Sequence, residues 1–458
     1  MTKEQTTPTI PSFREALRVW AKVGLLSFGG PAGQIALMHR MLVDEKRWIG
    51  EQRFLHALSY CMLLPGPEAQ QLATYIGWLL HGTRGGLAAG ILFVLPGAVV
   101  MLVLSAVYAL YHDLPGITAL FLGVKAVVLA IVIEAILRIG RRALKNRVAV
   151  AIAVAAFIGI YVLKIPFPLI VLGAGLLGWI GHRIAPAAFP AAGGHGNGAK
   201  PDTRGLIDGL IESGGLTHTR SSAPRAFRTL AVWLIIWLGP ILALRLLTGA
   251  HSIWTSLGEF FSVMAVVTFG GAYAVLAYVA QAAVDGFHWL LPHEMVDGLG
   301  LAETTPGPLI LVLQFVGFLA AFRAHGPLDP LLAGTLGAAL VLWSTFAPCF
   351  LWIFVGAPYV EALRNNQAIS AALAAVTAAV VGVIANLALW FALHVLFGAT
   401  QEIAFAGLML ETPVLRSIHW LTAVIALAAM IAMLRFKVGA LPTLAFGALA
   451  GLASLLLG

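Results

Sequence analysis

Long apolar runs, separated by short polar segments, recur from one end of the chain to the other. A helix of about 20 apolar residues crosses the hydrocarbon core of a bilayer. Only 10% of the 458 residues are charged, and the mean hydropathy is +0.92. The pattern therefore predicts an all-α polytopic integral membrane protein. The predicted spans and near-spans are residues 85–111, 117–137, 148–163, 165–181, 229–249, 368–392, 417–434 and 438–457.

Glycine and proline interrupt this apolar pattern at four places. Proline cannot donate to a helical hydrogen-bond ladder, and glycine allows the chain to turn. The apolar pieces on either side of residues 65–67 have about a dozen residues each, too few to span a bilayer. We expect broken helices, with a re-entrant hairpin over 54–80 or, alternatively, two shorter spans in series. The four segments are SFGGPAG (27–33), LLPGPEA (63–69), TFGGAYA (268–274) and TTPGPLI (304–310).

The interruptions repeat at a fixed spacing. Gly29 and Pro65 are 36 positions apart, as are Gly270 and Pro306, and the second pair follows the first by 241 positions. Further along the chain, the offset between matching residues becomes 252. The sequence therefore predicts two homologous halves. The predicted division is a first membrane half (1–181), a solvated cytoplasmic linker rich in Gly, Ala, Pro and Ser (182–228) with one short amphipathic turn, an additional transmembrane helix (229–249) and a second membrane half (250–458).

Basic residues are distributed unequally between equivalent loops of the two halves. The loop over 40–53 holds four Lys or Arg residues, whereas its counterpart over 281–299 holds none. Lys and Arg accumulate in cytoplasmic loops of membrane proteins. We therefore expect the two loops on opposite sides of the membrane, so that the halves form an inverted-topology repeat like those of many secondary transporters.

The interrupted segments supply backbone groups that no helix satisfies. Non-helical backbone at membrane depth occurs where it lines a cavity or is buried in protein. A half-helix that begins there presents about four free N–H groups and the positive end of its dipole, which suits an anion. Breaks of the opposite polarity bind cations, so the backbone alone leaves the sign of the ligand open. Polar side chains near the breaks, as ligands or as bonds to neighbouring helices, are Gln70, Gln71, Thr74, Thr304 and Thr305.

A lysine in the middle of an apolar run favours an anionic ligand. Lys125 would cost roughly 2.5–3.5 kcal/mol at the centre of a spanning helix and is a functional candidate by default. The alternatives are snorkelling or a partner acid on another helix. Glu134 is expected to pair with Arg138, one turn further on. Glu68 and Glu303, beside the two Pro-Gly-Pro segments, are candidates for proton coupling, and Glu68 has dipole capping as its alternative role.

No catalytic or cofactor motif accompanies these residues. The sequence has no P-loop for a nucleotide and no histidine spacing typical of metal ligands. Ser59, Cys61 and His56 are close in sequence but have no convincing orienting acid, so an intramembrane enzyme is a remote alternative. We therefore expect no metal and no cofactor. We also expect no nucleic acid as a partner, because the basic residues lie mostly in loops between spans.

The motifs resemble those of the chromate ion transporter family in its long, two-half form. The resemblance is carried by FGGPAG and LLPGPEAQQ in the first half, and by TFGGAYAVLAYVAQ and LAETTPGPLILVLQ in the second. Ala272 stands where the first half has Pro31, which leaves open whether both FGG segments have the same role. The motif positions are Phe28, Gly29, Gly30, Pro31, Pro65, Gly66, Pro67, Phe269, Gly270, Gly271, Pro306, Gly307 and Pro308. With Gln71, Lys125, Thr304 and Thr305 they form the expected substrate-binding set.

The resemblance implies a secondary transporter that exports chromate across the bacterial inner membrane and confers chromate resistance. We expect the membrane potential to drive export, with proton antiport as an addition, and alternating access by rocking of the two halves. Transport of sulfate or another oxyanion is the alternative. The expected partners are chromate or sulfate and the lipid bilayer, and a homodimer is left open.

Overall fold

The structure, a computed structural model, is almost entirely helical over the part of the chain that it describes. One two-stranded sheet is the exception. Gly270 and Gly271 of the second FGG segment lie outside the described residues. The described residues are 10–189, 205–212, 216–219, 221–269, 272–359, 367–405 and 408–456.

Residues 10–189, the described part that covers the first half, contain seven α-helices. A π-helical turn, Arg40–Glu45, follows the second of them. The fourth is interrupted at His81 and Gly82, which divide it into α4a (68–80) and α4b (83–111). The helices are α1 (Phe13–Leu26), α2 (Gly30–His39), α3 (Glu51–Cys61), α4 (Glu68–Tyr111), α5 (Pro115–Ala143), α6 (Arg147–Tyr161) and α7 (Phe167–Ile184).

The described parts of the linker and the second half are also mostly helical. The linker contains α8 (Leu206–Glu212) and a 3-10 turn (Thr217–Thr219), and α9 (Ala223–Thr248) is the additional long helix. A second π-helical turn is Ala282–Gly286, and a 3-10 turn, Leu309–Leu311, precedes α13. The remaining elements are α10 (Ile253–Val267), α11 (Ala272–Gln281), α12 (Pro292–Thr304), α13 (Val312–Arg323), α14 (Pro330–Gly356), α15 (Gln367–Leu396), β1 (Thr400–Phe405), β2 (Leu408–Pro413), α16 (Trp420–Leu434) and α17 (Ala440–Ser454).

Polar residues in the loops set the starts of several apolar helices. Ser12, Asn146, Ser252 and Asp329 each precede a helix, and each side chain accepts a hydrogen bond from the backbone N–H three residues on. Such caps satisfy amide groups that the helix itself leaves unpaired. Local sequence and apolar pattern therefore agree on where these helices begin.

Equivalent elements recur at the offsets found in the sequence. Helices α1–α3 and α10–α12 correspond at about 241 positions, and even the π-helical turns at 40–45 and 282–286 match. The first residues of α5 and α15, Pro115 and Gln367, are 252 positions apart. The prediction of two homologous halves is confirmed.

Helices α4a and α4b fold back on each other as a tight hairpin. Gly82 has φ +61°, a left-handed conformation that glycine adopts without strain. A Cβ on Gly77 would lie 2.5 Å from the carbonyl oxygen of Gly85, and a Cβ on Gly90 would lie 2.4 Å from Thr74 Oγ1. Small residues therefore permit the close approach of the two helices, as is common in membrane proteins.

The linker marks one end of the molecule, which we call the basic end and define by residues 46–53, 78–84, 205–212 and 216–219. His218 bonds the carbonyl oxygen of Trp78, at the end of α4a, at 2.9 Å. Asp208 accepts from the backbone N–H of Gly50, just before α3, at 2.9 Å. The segment 51–80 therefore leaves the basic end and returns to it, with residues 62–67 at its tip.

The equivalent loop of the second half lies at the opposite end. The hydroxyl of Tyr108, near the far end of α4b, donates to Asp297 of α12 at 2.7 Å. Helix α4b has 29 residues, or a length of about 43 Å at 1.5 Å per residue. The loops over 40–53 and 281–299 are therefore separated by the length of a spanning helix, as the inverted repeat requires.

Helices of the two halves exchange packing partners. Helix α5 of the first half packs against α16 and α17, and α15 of the second half packs against α6 and α7. We call α5–α7 with α15–α17 the scaffold, and α1–α4 with α10–α14 the hairpin unit. Each of these two bodies contains elements of both halves.

Glycine and alanine allow the exchanged helices to touch. A Cβ on Gly123 of α5 would lie 1.7 Å from the carbonyl oxygen of Gly447 in α17. The equivalent contact brings Gly178 of α7 to Ala375 of α15, where an added Cβ would lie 2.6 Å from the alanine Cβ. Because lipid provides no hydrophobic drive between helices, such close van der Waals packing is what holds the scaffold together.

Six helices of the described residues are long and apolar enough to cross a membrane. They are α4, α5, α7, α9, α14 with its 3-10 extension, and α15. Their outer surfaces are apolar too, since Ile235 and Leu246 of α9 are 71% and 77% exposed. The chain is a multi-pass membrane protein.

The segment over 281–299 is not the loop expected from sequence. Its second part forms the start of α12, with Pro292 in the first turn and Glu294 accepting from the N–H of Leu291 at 2.8 Å. Glu294 is buried and forms an ion pair with Arg323. Capping and charge pairing therefore convert an acidic segment into a buried helix.

The linker and the region after α15 also depart from expectation. The linker is docked rather than solvated where it is described: Ile207 is fully buried, and Asp208 accepts from Arg53 Nε at 2.5 Å. The short amphipathic turn is α8. The antiparallel β1–β2 hairpin was not expected, and Thr400 pairs with Pro413 at its open end.

The inverted topology predicts opposite labelling of Asp44 and Asp285. These residues are equivalent, are exposed and lie in the two π-helical turns. In a background with Cys61→Ala and Cys349→Ala, we expect Asp285→Cys to react with a membrane-impermeant maleimide in intact cells. We expect Asp44→Cys to react only after permeabilisation. Labelling of both from the same side would contradict the fold in its membrane.

Candidate functional site

The four interrupted segments meet through two reciprocal hydrogen bonds. The N–H of Gly66 donates to the carbonyl oxygen of Thr268 at 2.8 Å, and the N–H of Gly307 donates to that of Ser27 at 2.8 Å. Donors and acceptors are related by the offset of 241, and each bond joins the Pro-Gly-Pro of one half to the FGG region of the other. We call this region the crossing, made of residues 27–31, 62–68, 268–269 and 304–309.

The crossing requires glycine where its chains turn. Gly66 and Gly307 have φ values of +118° and +90°. Helices of the hairpin unit pack directly on them: a Cβ on Gly66 would lie 2.8 Å from Cys349 Sγ, and a Cβ on Gly97 would lie 1.9 Å from the carbonyl oxygen of Pro306. Gly97 and Cys349 are equivalent at the offset of 252, so both breaks are packed in the same way.

Three half-helices begin at the crossing. They are α2, which begins at Gly30 (φ +68°) directly after its N-cap Gly29 (φ +85°), α4a at Glu68, and the 3-10 turn that leads into α13. The first turn of each leaves N–H groups without intrahelical partners. The arrangement can therefore present positive dipole ends to an anion without any metal.

The two breaks differ in exposure. Phe28, Gly29 and Met62 of the first break are exposed, and Pro31, Pro65, Pro67 and Glu68 are partly exposed. At the second break, Phe269 is half-buried, and residues 305–310, with Pro306, Gly307 and Pro308, are buried. The first break is thus the one whose backbone donors a ligand can reach in this conformation.

Two buried glutamines bond backbone carbonyl groups of the breaks, Gln34 across to the second break and Gln71 within the first. Gln34 Nε2 donates to the carbonyl oxygen of Gly307 at 2.6 Å, and Gln71 Nε2 donates to that of Pro65 at 2.7 Å. The side-chain oxygens of Gln34, Gln70 and Gln71 have no hydrogen-bond partner in the described part of the chain. Gln34 was missed from the sequence, although a glutamine directly after FGGPAG in an apolar segment is a usable signal.

The threonines of the second break face their own helix. Thr304 donates to the carbonyl oxygen of Leu301 at 2.8 Å, and Thr305 donates to that of Ala302 at 2.9 Å. Thr74, by the first break, likewise donates to Gln70 O at 2.9 Å. Each of these hydroxyl protons is therefore already donated to a backbone carbonyl oxygen. Toward a ligand, the hydroxyl oxygens can act only as hydrogen-bond acceptors.

The two candidate proton carriers have different surroundings. Glu303 accepts a hydrogen bond from the hydroxyl of Tyr273 at 2.5 Å. Glu68 is in the first turn of α4a and has no hydrogen-bond or ion-pair partner among the described residues. Its equivalent in the second half is Leu309, so only one of the two crossing segments carries a free carboxylate at this position.

Lys125 is not a lone ammonium at the breaks. Its Nζ lies 3.4 Å from Asp297 Oδ2, and the lysine and aspartate side chains are 20% and 2% exposed. Asp297 precedes Thr304 by seven residues, which is about 10 Å along α12. The expected pairing of Glu134 with Arg138 is present, at 3.5 Å. Asp297 was missed because its segment was taken for a loop.

The residues of the remote enzyme alternative do not form a reactive cluster in what is described. The hydroxyl of Ser59 donates to the carbonyl oxygen of Leu55 in its own helix at 2.8 Å, and Cys61 is buried. A nucleophile needs a base within hydrogen-bond reach. The hydroxyl of Ser59 is instead committed to the backbone.

The chain matches known proteins in two separate blocks. A family model described as Chromate transporter matches residues 14–179 and 255–452, and the two matches begin 241 positions apart. A half-size relative, an uncharacterized transporter of Bacillus subtilis, is 31% identical over 158 residues, covering 33% of this chain and 79% of that protein. No solved structure matches the chain significantly.

Full-length relatives cover both halves. A chromate transport protein of Pseudomonas aeruginosa is 31% identical over 393 residues, which is 83% of this chain and 82% of that protein. A chromate transport protein of Cupriavidus metallidurans is 27% identical over 380 residues, with the same coverage. The family and the named relatives are transporters, not enzymes. The chain belongs to the chromate transporter family.

Proposed function

We propose that this chain is a secondary transporter that exports chromate from the bacterial cytoplasm across the inner membrane and so confers chromate resistance. The observation that carries the proposal is the crossing, where reciprocal bonds hold interrupted, donor-rich backbone from both halves together. Relatives named chromate transport proteins supply the substrate. Chromate is a tetrahedral dianion, and half-helix N-termini bind such oxyanions through backbone N–H groups and dipole.

The membrane potential supports export as the direction. Moving one charge across 100 mV is worth about 2.3 kcal/mol, so a dianion leaving a negative interior gains about 4–5 kcal/mol. That energy sustains a gradient of roughly a thousandfold. Export therefore needs no nucleotide.

Everted membrane vesicles test this proposal directly. We expect labelled chromate to enter vesicles that contain the protein, faster when an interior-positive potential is imposed with potassium and valinomycin. Gly66→Ala should reduce uptake at least tenfold, because a Cβ there would be 2.8 Å from Cys349 Sγ and because alanine disfavours positive φ. Gly116→Ala, with nothing within 4 Å, is the matched control. Potential-driven uptake of sulfate but not of chromate would overturn the proposed substrate.

Alternating access moves the hairpin unit against the scaffold rather than one half against the other. The hairpin unit packs on the scaffold unequally. In the second half, a Cβ on Gly300 of α12 would lie 2.4 Å from Val124 Cγ1 of α5, and Lys125 pairs with Asp297 nearby. The equivalent of Gly300 in the first half is Ser59, which is exposed. This asymmetry supports a conformation that is open at the basic end and closed at the other, with the Lys125–Asp297 pair acting as part of the closed gate.

The second conformation follows if the contacts that one repeat makes in this structure are transferred to the equivalent residues of the other repeat. Ser59 of α3 would then approach Val376 of α15, the equivalent of Val124. The transporter would close at the basic end and open at the other. Lys125 and Asp297 would separate, while their equivalents, Thr377 and His56, would meet.

Two disulfide pairs distinguish the conformations. A Cβ on Gly300 would lie 3.9 Å from Val124 Cβ, within the range that a disulfide spans. In the background without native cysteines, we expect Val124→Cys with Gly300→Cys to cross-link at rest and to block transport until reduced. We expect Ser59→Cys with Val376→Cys to cross-link only when chromate and a potential drive turnover. If the second pair never forms while transport proceeds, the exchange of conformations is wrong.

Glu68 is the proposed proton carrier. It stands at the exposed break without a partner in the described chain, whereas Glu303 is bonded to Tyr273. A carboxylate that takes up a proton on the far side as the anion leaves, and releases it at the basic end as the next anion binds, would couple anion export to proton entry.

Removing the charge of Glu68 should uncouple the pH gradient from transport. We expect Glu68→Gln to abolish the stimulation of chromate flux by an imposed pH gradient while keeping potential-driven flux within about threefold of the parent, because the backbone donors remain. Glu134→Gln, which removes an acid paired with Arg138 outside the crossing, is the matched control. Unchanged stimulation in Glu68→Gln would exclude this residue as the carrier.

A further inference from the structure

A cavity at the basic end lies apart from the crossing. It has a volume of about 370 Å³ and is bounded by the end of α4a, the start of α4b, the linker turn, the first turns of α9 and the end of α14. Cavities of about 300–1,000 Å³ are typical of small-molecule sites. Nothing in the transport mechanism uses this one.

One side of the cavity is basic. Arg225 and Arg228 lie three residues apart on the first turns of α9 and both line it. Arg225 donates to the carbonyl oxygen of His218 at 3.3 Å, and neither guanidinium pairs with a carboxylate among the described residues. Burial lowers the pKa of the His218 imidazole, so the charge of the cavity comes from the two arginines. Thr83 and Thr229 add hydroxyl groups.

The other side of the cavity is apolar and continues onto the outside of the protein. Trp78, Val232 and Trp233 line it, and Trp233 packs against Phe354 in a tilted arrangement with ring centroids 5.5 Å apart. Helix α9 has an exposed apolar surface beyond the cavity, including Ile235 at 71% exposure. A ligand with a charged head and an apolar tail matches this combination.

We propose that the cavity binds the phosphate group of an anionic phospholipid from the leaflet at the basic end. Arginine forks bind phosphate oxygens in bidentate fashion, and basic pockets between spanning helices accept anionic head groups. A free oxyanion shares the chemistry of the phosphate, but it would leave the aromatic and aliphatic wall uncovered. The lipid would also join α9, the linker and α4a, because His218 bonds Trp78 at the wall of the cavity.

Native mass spectrometry of the whole purified protein tests the site. The probes are phosphatidylglycerol, phosphatidylcholine, and inorganic phosphate or chromate as the free oxyanions. We expect retained phosphatidylglycerol in preference to phosphatidylcholine. Retention by Arg225→Gln with Arg228→Gln should be weaker by about tenfold or more, roughly a hundredfold if both bonds contribute fully, since charge-assisted bonds of this kind are each worth about a tenfold change. Arg141→Gln with Arg142→Gln, which removes two exposed arginines from the end of α5, is the matched control.

The outcomes separate the two sources of the ligand. Loss of phosphatidylglycerol in the cavity variant alone, with no displacement by millimolar phosphate, supports the lipid. Binding of free phosphate or chromate that depends on the two arginines, with lipid retention unchanged, overturns the lipid assignment. Equal retention in all three proteins overturns the site. Because the readout is binding, the result does not depend on which anion the crossing transports.

Discussion

The two hydrogen bonds that Gly66 and Gly307 make to the opposite half are the constraint on which the rest of the structure depends. At membrane depth there is no water to satisfy broken backbone, and each unsatisfied group costs several kcal/mol. Each half breaks two of its helices and bonds both breaks to the other half. Neither half can therefore complete its own interruptions. The inverted repeat, the exchanged scaffold helices and the glycines at close contacts all serve to bring the same four segments together.

Symmetry of the backbone does not extend to the side chains around it. Gln34 bonds across the crossing, but its equivalent is Val275. Glu68 corresponds to Leu309, and Glu303 to Met62. The first break is also the exposed one. A pseudo-symmetric backbone therefore carries an asymmetric set of side chains. In the proposed transport cycle, the backbone would allow two equivalent conformations, and the side chains would make them chemically different.

The features that the sequence could predict are those that depend on neighbouring residues or on regular spacing. Contacts between residues far apart along the chain could not be predicted. The repeat, the broken segments and the opposite placement of the two loops were accessible, because offsets and charge counts are properties of the chain itself. The pairing of each Pro-Gly-Pro with the other half's FGG region was not, because it is a contact between residues 202 or more positions apart. Asp297 was missed for a related reason. Its segment is acidic and resembles a loop until Arg323 and Lys125, both distant in sequence, neutralise it. The β1–β2 hairpin carries no signal strong enough to stand out among apolar runs.

The exchange of helices limits which motion can give alternating access. If the sequence halves moved as rigid bodies, α5 would have to leave α16 and α17, and α15 would have to leave α6 and α7. Those contacts bring glycines against backbone and small apolar side chains, with an added Cβ as close as 1.7 Å to the neighbouring helix, so a displacement would lose this van der Waals packing. The contacts between hairpin unit and scaffold include a different kind, in which a lysine–aspartate pair can separate and be replaced by solvent. These contacts therefore favour the proposed motion between the two mixed bodies, in which the crossing, which belongs wholly to the hairpin unit, would move intact.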